Sequence, residues 1–291
     1  MSPGQGPRGE PDTICHVTAG TRVLTCGFAS AAPVGGLPNL LAVSRAPAIG
    51  DAGQCPRVLA HRGARTVAPE NTLEAFRIAL EQHADGVELD VHRTSDDGLV
   101  VHHDADAVGL GVLAAVSRDA IRAARPDIPT LAEVLDACAG SLVNIEIKNL
   151  PGDADYDDTD RAAELVVQLL DERSRQDDVI VSSFNLGTVD RVRRLDERTP
   201  TAFLVMLGID PLDALGLCAD HGHGALHPFA GLLDADDAAA VVERARELEL
   251  ALNVWTVNEE PEMRRLAVAG VDGIITDVPD VGRRVIDGLS G

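Results

Sequence analysis

Two short segments of the 291-residue chain place charged side chains two residues apart inside apolar runs: Val87-Glu88-Leu89-Asp90-Val91 and Ile145-Glu146-Ile147-Lys148. In an extended strand successive side chains alternate sides, so Glu88 with Asp90, and Glu146 with Lys148, share one face. The apolar residues take the other. If that apolar face packs on helices, three carboxylates and an ammonium are driven into a common interior. Like charges crowded in a low dielectric are costly unless a cation lies among them. Carboxylate oxygens are hard ligands, so the pattern points to a divalent cation, Mg²⁺ or Ca²⁺, with Glu88, Asp90 and Glu146 as its ligands. The same residues also allow an internal salt-bridge network joining two strands. Of the 25 Lys and Arg, one is a Lys, and it is Lys148.

Two histidines end neighbouring strand-like runs: His61 in Val-Leu-Ala-His-Arg-Gly and His103 in Val-Val-His-His-Asp. Gly63 frees the chain to turn sharply after the first. Two imidazoles titrating near neutrality can serve as acid and base, while Arg62, Lys148 and a cation neutralise the charge that grows on a phosphoryl group in the transition state. That set suits phosphoryl transfer. No Gly-rich phosphate loop or nucleophile elbow is present. His102 falls on the opposite face from His103 by alternation and reads as structural. His221-Gly222-His223 with His227 suggests a metal tract, but it straddles a loop and a strand and has no Cys partner, which favours a structural reading. Trp255, the only Trp, ends another strand-like run and is expected to line the mouth of a pocket. The acidic stretch 153–160 reads as a solvated loop, with a role at the rim as the alternative.

The elements that must position these residues follow from periodicity. Strand-like runs at 57–62, 86–92, 141–148, 179–183, 201–207, 224–227, 251–257 and 273–276 alternate with amphipathic segments at 71–84, 130–138, 160–174, 187–197, 211–220, 235–249, 260–269 and after Pro279. Such alternation is the mark of βα units and a parallel sheet. Eight units in the last 235 residues fit a (β/α)8 barrel, for which roughly 250 residues is typical. The run 99–104 has no helix before it and reads as a hairpin return from the second strand. Asn71 with Glu74 is expected to form a capping box at the first helix, with Leu73, Phe76 and Leu80 on one face. Residues 1–54, rich in Gly, Pro, Ala and Ser, read as a loosely ordered N-terminal extension and 55–291 as a single barrel domain.

Composition narrows the function classes. With 47 Asp and Glu against 25 Lys and Arg, the net charge of −22 argues against a nucleic-acid partner and an anionic membrane surface. Five widely spaced cysteines without a Cys-x-x-Cys pair argue against a disulfide framework or a thiolate zinc site. No run approaches the roughly 18 apolar residues of a membrane span, and the N-terminus lacks a signal-peptide pattern. A cytoplasmic protein without stable membrane insertion is expected.

His61-Arg62-Gly63, Pro69-Glu70-Asn71-Thr72, Glu88-x-Asp90, His103-Asp104, Ile128-Pro129-Thr130-Leu131 and Asn144-Ile145-Glu146-Ile147-Lys148 together resemble the glycerophosphodiester phosphodiesterase family. Ser182-Ser183-Phe184, Trp255-Thr256-Val257-Asn258 and Thr276-Asp277-x-Pro279 extend the likeness, which runs in order over about 57–285. The resemblance implies a (β/α)8 fold, a divalent metal held by Glu88, Asp90 and Glu146, His61 and His103 as the acid/base pair, and Arg62 and Lys148 as phosphate contacts. It also implies hydrolysis of small glycerophosphodiesters to glycerol 3-phosphate and an alcohol, through attack by the substrate's own neighbouring hydroxyl and a cyclic phosphate. The chain departs from the family at Ala105-Asp106-Ala107-Val108-Gly109, where an Arg-Thr-Thr-type stretch is common, and in the short segment from there to Ile128, so the head group is not carried over. A barrel lipid phosphodiesterase of the sphingomyelinase D or phosphatidylinositol phospholipase type is a second reading, weakened by the lack of an apolar or basic interfacial segment. A non-catalytic phosphodiester-binding barrel is a third, weakened because both histidines and all three carboxylates are present.

Overall fold

The structure, a computed structural model, describes residues 55–234 and 237–289, so the extension expected over 1–54 lies outside the described residues. In chain order the elements are β1 (Arg57–His61), α1 (Leu73–Glu81), β2 (Gly86–Arg93), β3 (Leu99–Val101), β4 (Asp106–Ala107), β5 (Gly111–Val112), α2 (Arg118–Ala124), α3 (Leu131–Ala137) and β6 (Leu142–Ile147). There follow α4 (Arg161–Arg173), β7 (Val179–Ser183), α5 (Leu186–Leu195), β8 (Thr201–Val205), α6 (Pro211–His221), β9 (Ala225–Pro228), α7 (Ala238–Glu247), β10 (Ala251–Val254), α8 (Glu260–Ala269), β11 (Gly273–Thr276) and α9 (Pro279–Asp287). Eight strands pair in parallel in the order β1-β2-β6-β7-β8-β9-β10-β11, and β11 pairs back to β1, which closes the (β/α)8 barrel. As expected, β3 returns antiparallel along β2.

The alternation along β2 is enforced from outside. Val87, Leu89 and Val91 are fully buried in a cluster with residues of α1, α3 and α4. Burying such side chains is worth roughly 1.5–3 kcal/mol each, and slipping by one residue would reverse every side chain. Glu88 and Asp90 are therefore committed to the lumen. At its lower end the lumen is dry, filled by Leu59, Leu142, Ile180, Ala202, Ala225 and Ile275. Register then sets the charged residues beside one another. His61 stands opposite Glu88 across β1 and β2, and Asp90 opposite Glu146 across β2 and β6.

Several local expectations change. Thr72, not Asn71, caps α1, its hydroxyl accepting from the Ala75 N–H at 3.2 Å, while Asn71 adopts a positive φ of 57°. Leu73 lies 38% exposed, so the buried face of α1 is Ala75, Phe76 and Ala79. The capping box belongs instead to α3, where Thr130 and Glu133 satisfy each other's backbone N–H groups. β8 and β10 end at Val205 and Val254, short of the expected 207 and 257. The segment after Asp104 is not bare loop: it forms the β4-β5 ribbon and α2, neither of which periodicity revealed. Cys138 and Cys218 are buried free thiols.

Gly86 opens β2 where it crosses β6 most closely: a Cβ there would stand 2.3 Å from the Leu142 carbonyl oxygen. Gly86→Ala must push β2 from β6 and is expected to cost about 1–3 kcal/mol, the usual range for overpacking. Urea denaturation of the two proteins measures it, and a change within about 0.5 kcal/mol, typical of a neutral surface substitution, would show the strands free to part.

Candidate active site

At the C-terminal ends of β1, β2 and β6, the face where barrels of this kind carry their chemistry, the carboxylates converge. Oxygens of Glu88, Asp90 and Glu146 lie within 4.8 Å of one another, and the three residues are only 3, 1 and 7% exposed. Lys148 continues β6, its N–H bonding the Val91 carbonyl, and sets Nζ 2.8 Å from Asp90 Oδ1 and 2.5 Å from Glu146 Oε1. Arg62 follows β1 with a φ of 57°, a conformation that Gly63 after it, at 81°, continues around the turn. Its Nε lies 3.2 Å from Asp90 Oδ2 and its Nη1 3.0 Å from Glu70 Oε1. Asn71 also serves Asp90, its Nδ2 donating to Oδ2 at 2.8 Å.

These contacts divide the three acids. Asp90 is fully buried, which by itself would raise its pKa, but Lys148 and Arg62 outweigh that and hold it well below the usual carboxylate range. Glu88 is raised well above that range, first by burial and then by Asp90 and Glu146. Its one ion-pair partner among the described residues is His61 at 4.0 Å. Burial, with Asp90 adding to it, pushes Glu146 up to about 7 despite Lys148. With all three acids ionised, the trio would carry more negative charge than its two cations balance. That excess, and an all-oxygen donor set, fit a hard divalent cation, which these three residues could hold.

The two sequence-singled histidines flank the trio, and each has a carboxylate on Nδ1. His61 Nδ1 is 2.7 Å from Asp277 Oδ1, and Asn258 Nδ2 holds the other Asp277 oxygen at 2.7 Å. His103 Nδ1 is 2.7 Å from Asp104 Oδ1. A carboxylate on Nδ1 fixes the tautomer and leaves Nε2 as the working nitrogen. Burial lowers the pKa of His103, with Lys148 and Arg62 adding to the effect and Asp90 opposing it. His102 turns away, as alternation requires, with its Nδ1 2.9 Å from the Asp104 carbonyl oxygen.

Beside the trio lies a cavity of about 390 Å³, lined among others by His103, Glu146, Lys148, Phe184, Asp106 and Met206. Trp255 is not in its wall. The indole donates to the His227 carbonyl at 2.8 Å and packs in a T-shaped contact against Phe184 at 5.3 Å, a residue that lines the cavity. The acidic loop is not simply solvated. The Asp155 side chain is 3% exposed, with Oδ2 2.6 Å from His92 Nδ1, and His92 Nε2 stands 3.1 Å from the His103 carbonyl oxygen. Sequence reasoning gives Asp277, Asn71, Glu70, Asn258, His92 and Asp155 no individual role in the site, and gives Asn71 only that of a helix cap. The first four lay inside recognised motifs; their partners are 8 to 216 residues away, and only the folded chain shows the pairing.

Comparison with known proteins agrees with this geometry. The model of the glycerophosphoryl diester phosphodiesterase family matches residues 61–281. A glycerophosphodiester phosphodiesterase of Caldanaerobacter subterraneus is 33% identical over 244 residues, covering 77% of this chain and 94% of that protein. Among solved structures, the Thermotoga maritima glycerophosphodiester phosphodiesterase superposes with a TM-score of 0.66 at 28% identity, covering 79% of this chain and 98% of the other. A phosphodiesterase of Oleispira antarctica, solved with the product sn-glycerol-3-phosphate, shares the fold with a TM-score of 0.70 at 23% identity, over 80% and 97% of the two chains. With a closed barrel whose strand ends gather the motif residues, the chain belongs to the glycerophosphoryl diester phosphodiesterase family and is a phosphoric diester hydrolase.

Proposed function

We propose that this hydrolase cleaves glycerophosphodiesters to glycerol 3-phosphate and an alcohol in a reaction that requires a divalent cation, Mg²⁺ or Ca²⁺, held by Glu88, Asp90 and Glu146. The observation that carries this reading is the convergence of those three carboxylates within 4.8 Å, next to Lys148 and Arg62. When bound, the cation supplies Lewis-acid stabilisation of charge on the phosphoryl oxygens. The small-molecule product bound by the Oleispira relative supports the substrate class.

Arg62 and Lys148 are the phosphate contacts. Each already faces Asp90, so they approach a phosphoryl group from the side where that carboxylate holds them. His61 and His103 exchange the protons. Asp277 steadies the imidazolium of His61, and Asp104 does the same for His103, so each ring can gain and return a proton at Nε2 without turning. Phe184, packed against Trp255, gives the cavity an apolar wall beside Lys148, with Nζ 6.0 Å from the ring centre. The head group leaves into that cavity. Among the described residues no helix is long and apolar enough to cross a membrane, which accords with a soluble diester as substrate.

Replacing His61 or His103 by Ala is expected to lower kcat/KM on deacylated phospholipid diesters about 10²- to 10⁴-fold, the usual contribution of a positioned acid or base. Glycerol 3-phosphate release, measured by coupled oxidation, checks this; a loss under threefold in either variant removes that histidine from the reaction. Because burial holds protons on Glu88 and Glu146, the latter to about pH 7, a cation must displace them. Lowering the pH from 8 to 6 is therefore expected to raise the Mg²⁺ or Ca²⁺ concentration giving half-maximal rate, approaching about tenfold per unit for each displaced proton once the pH is below that group's pKa. A half-saturation independent of pH, or turnover that survives chelation, would contradict the assignment.

A further inference from the structure

A second group of ligand-type side chains lies at the opposite end of the barrel, where helices feed into strands. Asp190 is on α5, His221 is the last residue of α6, and His223 stands in the turn that leads into β9. His221 Nδ1 is 2.9 and 3.0 Å from the two Asp190 oxygens, and His223 Nε2 is 3.2 Å from Asp190 Oδ1. One ligand atom from each of the three lies within 4.8 Å of the others. His227, which the sequence groups with this pair, is elsewhere, inside the lumen with Nε2 2.8 Å from Asn253 Nδ2.

Hydrogen bonding accounts for His221 but not for His223. His223 is 3% exposed, yet its Nε2 has no hydrogen-bond partner: the nearby Asp190 oxygen is close without being aligned to accept from it. Nδ1 of the same ring lies 2.9 Å from the buried Thr201 hydroxyl. With Nδ1–H donating to that hydroxyl the ring is held in place and Nε2 presents a lone pair, the outer contact that metal-binding imidazoles generally have. Leaving a buried nitrogen unsatisfied is unfavourable, and a metal ion would satisfy it.

We propose that Asp190, His221 and His223 form a second metal site, independent of the carboxylate trio, that takes a transition cation of the zinc class. Two imidazole nitrogens and one carboxylate suit such ions and not Mg²⁺ or Ca²⁺. The Arg193 guanidinium packs against Gly222, between the two histidines, so binding must come from nitrogen donation and not from excess negative charge. His221, with 36% of its side chain exposed, leaves the site open to solvent on one side. The bound ion would tie α5 to the α6–β9 turn and stabilise the barrel there.

The test is titration of the metal-free full chain with zinc chloride, and with cobalt(II) chloride followed by its visible absorption. One equivalent is expected to bind in the wild type and in Glu88→Gln, and to raise the melting temperature of both. His221→Ala and Asp190→Ala, both at solvent-accessible positions, are expected to weaken that binding at least tenfold and to lose the melting shift, while Mg²⁺-supported diester hydrolysis is unchanged. Circular dichroism checks folding, and His221→Gln replaces an alanine variant that fails it. Unaltered zinc affinity in the His221 and Asp190 variants, or loss of the equivalent in Glu88→Gln, would overturn the proposal.

Discussion

The mutual repulsion of Glu88, Asp90 and Glu146 is the constraint around which the top of the barrel is built. Three acids within 4.8 Å, each almost fully buried, cannot all be ionised unless something positive joins them. Lys148 and Arg62 bring two positive charges, both to Asp90; Lys148 is shared with Glu146 and Arg62 with Glu70. Glu88 forms an ion pair with neither. A cation among the three oxygens would relieve this imbalance. The chain's one Lys lies here, its ammonium bridging Asp90 and Glu146.

Such a cluster survives only because the surrounding structure is stable without it. The outward faces of β2 and β6 are fully apolar, and the barrel register puts Asp90 beside Glu146 and His61 beside Glu88 with no freedom to slide. Below the cluster, the dry layer from Leu59 to Ile275 seals the lumen. Around it, Asn71, Asp277, Asn258 and the His92–Asp155 pair hold the side chains and the His103 backbone in place. Stability is thus supplied by burial, and the charged residues are free to be arranged for chemistry.

The eight strands, their helices and the direction of each charged side chain were legible in the sequence because they follow from period-two alternation and from short apolar runs. The convergence of Glu88, Asp90 and Glu146 with His61 and His103 beside them is legible for the same reason, reinforced by motifs. Pairings were not. Asn71 looks like a helix cap by its spacing to Glu74, but its amide is drawn to Asp90 by the unmet acceptors of a buried carboxylate, and Thr72 takes the cap. Trp255 reads as pocket lining because it is isolated in sequence; in the fold its indole packs against Phe184, which lines the cavity. Asp155 looked solvated amid other acids, and only the fold supplies the buried His92 that pairs with it. Periodicity fixes which face a residue occupies, but not which residue of a distant element meets it.

The central claim, that the three carboxylates form one cation site strained by their own repulsion, is tested most directly by thermal unfolding at pH 8 of the metal-free wild type and Glu88→Gln, each with and without Mg²⁺ or Ca²⁺. Removing one of the crowded charges is predicted to leave the metal-free variant at least as stable as the wild type, and the rise in melting temperature on adding the cation is predicted in the wild type alone. A metal-free variant that melts well below the wild type, or an equal rise in both proteins, would contradict it.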